Sequence, residues 1–142
     1  MTTKADILII GGGSIGLNCA YYLLKSRRKV TIVEPTDRIG EGVLDFRLGL
    51  LMDWFGREGV CVISGAKDLV ITDTGVAYTD QDGKRQTLEA ETVVPTSPLK
   101  PNAELLKDLQ GTVPELYVIG DANRPGMIVD AIREGYQTAK AV

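Results

Sequence analysis

The feature that most constrains the fold is a run of glycines near the N terminus. Residues 7–16 read "ILIIGGGSIG", so an apolar stretch leads directly into three consecutive glycines. An ordered glycine costs conformational entropy, so a run of them after a buried strand indicates that side chains would be sterically intolerable there. We therefore expect another group to approach the backbone closely at this turn.

The flanking segments predict one βαβ unit around the glycines. Ala5–Ile10 is a near-continuous apolar run, which is typical of a central strand buried on both faces of a parallel sheet. Apolar residues then recur at helical spacing from Ile15 to about Lys25, and Val30–Val33 predicts a second buried strand. In this context "GGGSIG" fits the G-x-G-x-x-G turn of dinucleotide-binding domains.

The residues of this turn have predicted roles in binding a pyrophosphate. Gly11 permits the tight turn between strand and helix, Gly13 lets the backbone approach the phosphates, and Gly16 lets the helix pack closely on the sheet. Ser14 and Ile15 begin the helix, whose free N–H groups and positive dipole end face the phosphates.

An acidic residue completes the predicted dinucleotide site. Glu34 stands 18 positions after Gly16, at the end of the second strand, where a carboxylate accepts hydrogen bonds from the adenosine ribose. Its neighbour Pro35 is included in the site. A carboxylate there repels the additional phosphate of NADP, so NAD(H) is the predicted cofactor, and Arg38 is too far beyond the strand to reverse this. The alternative is a glycine turn that binds nothing, with Glu34 as a surface carboxylate.

The rest of the chain predicts a second helix and strand, a meander and a final helix. Short β-rich runs separated by "DTG" and "DQDG" at residues 68–91 are typical of an antiparallel meander. Trp54, in the second helix, is expected to pack in the core. The other predicted elements are a helix with Leu48, Leu51 and Phe55 that ends near Gly59, strands at 60–64, 92–94 and 115–121, a short helix at 103–109, and a helix at 127–141 with Ile128, Ala131, Ile132 and Ala139 facing inward.

Composition excludes several classes of partner. The chain has 142 residues, 44% of them hydrophobic, and a net charge of −3 with scattered basic residues, so we expect a globular domain without a nucleic-acid partner. No apolar run approaches the roughly 20 residues that span a bilayer, and no signal peptide is recognised. We therefore predict a cytoplasmic protein without a membrane partner.

Few side chains are suited to chemistry. Histidine is absent, which removes the commonest general base and the commonest metal ligand. We therefore predict no catalytic residue and no metal site. Cys19 and Cys61 lack paired spacing and are expected to be inert core thiols.

The order of the motifs resembles that of the nucleotide-binding domains of two-dinucleotide flavoproteins, the pyridine nucleotide-disulfide oxidoreductase superfamily. The resemblance is closer still to the C-terminal NAD/FAD-binding portion of the NADH:flavin oxidoreductases, 2-enoate reductases, 2,4-dienoyl-CoA reductases and trimethylamine dehydrogenase. It is carried by "GGGSIGLNCAYYLLKSRRKVTIVEPTDRIGEG", "LKPNAELL" and "PELYVIGDANRPGMIVDAIREGY".

The resemblance implies a three-layer, Rossmann-like α/β domain that binds FAD or NAD(P), with a mostly parallel sheet and an antiparallel meander crossover. Residues 1–142 would form a single domain, with an NAD-type core at 1–113 and a returning segment at 114–142 that carries the Gly-Asp strand and the last helix. Asp121 would hydrogen-bond the ribityl chain of a flavin. Alternatively, Asp121 only organises its own turn.

Two positions depart from the pattern of the family, and one mechanism is excluded. Asn18 stands where many relatives carry Glu, and Pro98 stands in a loop where many carry Gly. Proline fixes φ and adds bulk, so we expect Pro98 to restrict the approach of a cofactor at that loop. The absence of paired cysteines near a fingerprint excludes a disulfide-reductase mechanism.

The function implied by the resemblance is to position NAD(H) for hydride transfer with flavin in an ene reductase or an amine dehydrogenase-like enzyme. The partner would be a flavin-bearing domain or subunit, and we expect the isolated chain to be inactive. Two alternatives stay open: a free-standing nucleotide-binding or interaction module without turnover, and a domain that binds FAD.

The returning segment needs a partner for its apolar residues, because burying one Leu or Ile side chain is worth about 1.5–3 kcal/mol. We expect residues 116–119 to add as a fifth parallel strand beside 92–94, which brings Asp121 to the rim of the dinucleotide crevice. The alternative is exchange of this segment between two chains in a domain-swapped dimer.

Overall fold

The computed structural model describes residues 4–96 and 99–142. The chain divides into two compact units, Met1–Ser97 and Pro98–Val142, called unit 1 and unit 2 here. In chain order the elements are β1 (Ala5–Ile10), α1 (Ser14–Lys25), β2 (Val30–Val33), α2 (Asp45–Arg57), β3 (Cys61–Ile63), β4 (Lys67–Thr72), β5 (Gly75–Thr79), β6 (Arg85–Pro95), α3 (Glu104–Leu109), a 3-10 turn (Gly120–Ala122) and α4 (Ile128–Ala141).

Unit 1 is built around a six-stranded sheet of order β3-β2-β1-β6-β5-β4. The strands β3, β2, β1 and β6 are parallel neighbours, whereas β6, β5 and β4 pair antiparallel. Ile9 of β1 lies opposite Ile32 of β2 on one side and Val94 of β6 on the other. The predicted parallel sheet with a meander crossover is confirmed, and β1 is its central strand, as its apolar sequence predicts.

The parallel strands are covered on both faces, which gives the three layers that we predicted. Ile9 belongs to an apolar cluster that includes Leu17 of α1 and Phe55 of α2, called the helix-side cluster here. The neighbouring residue, Leu8, belongs to a second cluster with Val76 and Tyr78 of β5. Successive strand residues point to opposite faces, so the helices cover one face of β1 and the meander covers the other.

The long strand β6 serves both parts of the sheet. Its first half, residues 85–89, pairs with β5, and residues 90–95 pair with β1. Gly75 begins β5 with a φ of +150°, and an ideal Cβ on Gly75 would lie 2.0 Å from the carbonyl oxygen of Leu88. Only glycine therefore allows the two strands of the meander to approach this closely.

In unit 2 the structure differs from two predictions, one about a strand and one about the buried face of α4. Residues 115–119 form no strand in the described part of the chain, and the six-stranded sheet contains none of residues 99–142. The prediction of a fifth parallel strand beside 92–94 is therefore wrong. A strand exists only where a neighbour pairs with it, and here Ile119 instead reaches Gly135 of α4, with 3.5 Å between the Ile119 Cδ1 atom and an ideal Cβ on Gly135.

The predicted inward face of α4 is also wrong. Ile128 is 83% exposed and Ile132 is 66% exposed, and Ala139 is exposed as well, whereas Ala131 is half-buried beside Gly120. The helical spacing of these apolar residues is correct, but spacing alone does not supply a surface to cover them.

The remaining side-chain predictions for unit 1 have mixed outcomes. Trp54 packs on the helix-side cluster with its ring centroid 5.2 Å from that of Tyr21, so its packing role is confirmed. Cys19 packs partly buried on the same cluster. Cys61 is exposed, so the prediction of a core thiol is wrong there; it begins β3, which is an edge strand.

Among the described residues, no helix is both long enough and apolar enough to cross a bilayer.

Candidate functional site

The glycine turn between β1 and α1 brings the helix into contact with the strand. Gly11 has a φ of +111°, a conformation that favours glycine, and its N–H donates to the carbonyl of Val33 at 2.8 Å. An ideal Cβ on Gly16 would lie 1.8 Å from the carbonyl oxygen of Gly11. The protein itself therefore requires glycine at both positions.

Gly13 differs from these two glycines. Its φ of −77° is accessible to any residue, and an ideal Cβ on Gly13 would meet only the carbonyl oxygen of Glu41, at 3.4 Å. That is an ordinary van der Waals distance, so no protein contact requires glycine at position 13. The Glu41 carbonyl oxygen is the neighbour of Gly13 at the first turn of α1, where we predict a pyrophosphate.

A backbone segment after β2 lies along this turn. We call residues 38–43 the strap. The N–H of Gly40 donates to the carbonyl of Gly12 at 2.8 Å, and the carbonyl of Glu41 accepts from the N–H of Ser14 at 3.0 Å. No side chain of the described residues caps α1, so the strap carbonyl partly fills that role. A phosphate that binds the Ser14 N–H must replace this carbonyl.

The sequence analysis missed the strap, although the sequence "RIGEG" carries a signal for it. Gly40 and Gly42 have φ values of +87° and +76°, so the glycine spacing marks a backbone that only glycine adopts readily. Ile39 packs on the helix-side cluster, and an ideal Cβ on Gly12 would come within 2.6 Å of the Ile39 Cδ1 atom. The strap is therefore fixed by apolar packing as well as by hydrogen bonds.

Glu34 lies under the glycine turn with both of its carboxylate oxygens hydrogen-bonded. The residue is 8% exposed. Its Oε2 accepts the N–H of Gly12 at 2.6 Å, and its Oε1 accepts both the N–H and the Oγ1 hydroxyl of Thr36 at 2.8 Å. A buried carboxylate needs such donors, so Glu34 is not the surface carboxylate of our alternative interpretation. Pro35, its neighbour in the predicted site, is exposed.

Asn18 connects the first turn of α1 to α2. Its Nδ2 donates to the carbonyl of Ser14 at 2.6 Å, and its Oδ1 accepts from Nη2 of Arg47 at 2.9 Å. Arg47 was missed by the sequence analysis, because nothing in the local sequence of α2 indicates which residue of α1 it meets. The departure at position 18 thus places a neutral amide, bonded to an arginine, next to the predicted phosphate site.

In unit 2, Asp121 makes the contact expected of a residue that organises its own turn. Its Oδ1 accepts the N–H of Gly126 at 3.3 Å, and the side chain is exposed. The adjacent N–H of Gly120 donates to Oε2 of Glu134 at 2.7 Å, which ties the turn to α4. The flavin contact of Asp121 stays a prediction. Pro98, whose loop we expected to restrict a cofactor, lies outside the described residues.

Comparison with known proteins places this geometry in a family. The model for "Pyridine nucleotide-disulphide oxidoreductase" matches residues 2–135. An NADH oxidase of Thermoanaerobacter brockii is 33% identical over 135 residues, which are 94% of this chain and 21% of that protein. A cinnamate reductase of Clostridium sporogenes is 26% identical over 139 residues, which are 96% of this chain and 21% of that protein.

Solved structures share the fold over nearly the whole chain. A 2-naphthoyl-CoA reductase in complex with 2-naphthoyl-CoA has a TM-score of 0.74 and 26% identity, and the match covers 98% of this chain and 21% of that one. A histamine dehydrogenase from Rhizobium has a TM-score of 0.76 at 20% identity, over 96% of this chain and 23% of that one. The chain thus spans about a fifth of the length of these relatives.

Proposed function

Because the chain belongs to the pyridine nucleotide-disulphide oxidoreductase family, we propose that it holds NAD(H) for hydride exchange with a flavin in a larger oxidoreductase. The family and its relatives support NAD(H) and FAD as the cofactors of this class of domain. The observation that carries the proposal is the start of α1 at Gly13, where no protein contact requires glycine, with the buried Glu34 carboxylate bonded to the adjacent Gly12.

The residues around this turn fit a dinucleotide. The N–H groups of Ser14, Ile15 and Gly16 lie in the first turn of α1, where the dipole of the helix favours a phosphate. Gly13 gives the pyrophosphate room to approach, and Glu34 accepts a hydroxyl of the adenosine ribose. When bound, NAD(H) and flavin supply the hydride chemistry themselves. The chain therefore contributes binding and orientation, and we assign no catalytic residue.

The finer assignment is to an ene reductase or an amine dehydrogenase-like enzyme. It is supported by two kinds of relative, one named cinnamate reductase and one named histamine dehydrogenase. In this proposal the NAD-type core is residues 1–113, and residues 114–142 turn the exposed side chains of Ile128 and Ile132 toward a flavin-bearing domain or subunit.

A free-standing module without turnover is not favoured, because the relatives are named oxidoreductases. The domain-swapped dimer and the cytoplasmic location stay predictions.

Calorimetric titration of NADH and ADP into the full chain and into Gly13→Val tests the proposal. The branched side chain enters the space assigned to the pyrophosphate, so we expect the affinity for both ligands to fall at least about tenfold, the equivalent of one charged hydrogen bond. Gly49→Ala is the matched control, because an ideal Cβ on Gly49 meets nothing within 4 Å. Equal affinities of the parent and a folded Gly13→Val variant would remove the assignment.

A further inference from the structure

The hydroxyl of Thr36 lies between two acceptors. Its Oγ1 is 2.8 Å from Oε1 of Glu34 and 3.1 Å from the carbonyl oxygen of Arg38. A hydroxyl has one proton to donate. The carboxylate is charged and nearer, so it receives that proton, since hydrogen bonds to ionised acceptors are the stronger ones.

This donation uses up one oxygen of the Glu34 carboxylate. A carboxylate offers about four acceptor positions, two on each oxygen. The N–H and the hydroxyl of Thr36 fill both positions on Oε1, and the N–H of Gly12 fills one on Oε2. One position, on Oε2, is left for a ligand. The two bonds from Thr36 also fix the carboxylate, because they come from the backbone and the side chain of the same residue.

We propose that Thr36 is a positioning residue that makes Glu34 selective for an unmodified ribose. By occupying Oε1, Thr36 holds Oε2 toward the glycine turn, where it accepts one ribose hydroxyl. A ribose that is phosphorylated at that hydroxyl has no proton to donate there, and its phosphate brings further negative charge close to a fixed carboxylate. This inference rests on the proposed function, and it adds the residue that sets the discrimination between NAD(H) and NADP(H).

Thr36 is suited to this test because it contributes little to packing. The residue is exposed, and its hydroxyl lies within hydrogen-bond distance of Glu34 and Arg38. Thr36→Val keeps the shape of the side chain and removes the hydroxyl. Thr36→Ser keeps the hydroxyl and removes the methyl group. Thr87→Val is the matched control, an exposed threonine of β6 that pairs with Ala77 in the meander.

The experiment measures the dissociation constants of NADH, NADPH, ADP and 2′-phospho-ADP for the full chain and these variants. We expect Thr36→Val to reduce the preference for NADH over NADPH, and for ADP over its 2′-phosphate, about tenfold, the worth of one hydrogen bond to a charge. Thr36→Ser and Thr87→Val keep the preference of the parent. Thermal melting establishes whether each variant is folded. If Thr36→Val does not fold, Thr36→Ala takes its place.

Two outcomes overturn the inference in distinguishable ways. If Thr36→Val leaves the preferences unchanged, Thr36 does not set the discrimination and the proposed function stands. This includes the case in which the variant weakens the binding of all four ligands by the same factor, where Thr36 is only structural. If the parent chain binds neither NADH nor ADP, the proposed function itself is wrong and the role of Thr36 falls with it.

Discussion

A buried tyrosine in the meander makes the stability of unit 1 depend on pH. Burial raises the pKa of the Tyr78 hydroxyl above its ordinary value of 10.0, and the negative charges of Asp80 and Cys61 raise it further. Because the folded state raises this pKa, the stability that Tyr78 contributes is fully present below about pH 10 and is lost as the pH rises through the folded value.

We therefore expect Tyr78→Phe to lose less stability than the parent between pH 8 and pH 11. Urea unfolding at the two pH values measures the change in the free energy of unfolding for each protein. Tyr22→Phe is the control, because Tyr22 is 69% exposed, and it should follow the parent. An equal loss in Tyr78→Phe and the parent would show that this hydroxyl does not cause the loss of stability at alkaline pH.

At the residue scale, part of the candidate site could be predicted from the sequence. The positions of Gly11 and Gly16 follow from the motif, and the structure gives each a steric reason within the protein. Glu34 could also be predicted, because its place at the end of β2 follows from its spacing after the glycines. Thr36 and Arg47 could not, since their partners depend on the path of a loop and on the packing of two helices.

The strap is the element whose conformation bears most directly on binding. Its Glu41 carbonyl occupies the Ser14 N–H, and Ile39 holds the strap on the helix-side cluster. Ile39→Ala weakens that attachment, so a phosphate replaces the carbonyl at lower cost. We expect ADP affinity to rise up to about fivefold, the worth of one neutral hydrogen bond. The stability of the chain should fall by less than the roughly 2–5 kcal/mol of a fully buried isoleucine, because Ile39 is half-buried.

Calorimetry with ADP and urea unfolding of Ile39→Ala measure these two effects. Leu44→Ala is the control for a nearby exposed apolar residue, since Leu44 is 81% exposed. Weaker ADP binding in Ile39→Ala would mean that the strap forms part of the site and does not compete with the ligand.

Among the elements, those fixed by local pattern were predicted and the one fixed by a distant partner was not. β1, α1 and β2 follow from apolar runs and a helical repeat, and the meander follows from its turn residues. The bounds of the short helices and edge strands differ from the predicted bounds by about one residue. The strand predicted at 60–64, for example, is Cys61–Ile63 in the structure. Residues 115–119 have the apolar composition of a strand, but a strand also needs a neighbour with free hydrogen-bonding groups.

For the whole molecule, the fold class could be predicted but the place of the last segment could not. All members of both apolar clusters come from residues of unit 1. Unit 2 has no buried residue among those described, and large apolar side chains such as Ile128 and Leu105 are exposed. Periodicity therefore identifies the amphipathic helix, but it cannot identify a partner for the apolar face of that helix.

The central claim is that the turn between β1 and α1 binds the ADP half of a dinucleotide. Titration of ADP into the 15N-labelled full chain, followed through backbone amide chemical shifts, tests this claim most directly. We predict that the largest saturable shifts fall on the amides of Gly13, Ser14, Ile15 and Gly16, and that Gly83 in the meander is unchanged. Saturating ADP that leaves the amides of the glycine turn unchanged, or shifts only residues elsewhere, would contradict the account.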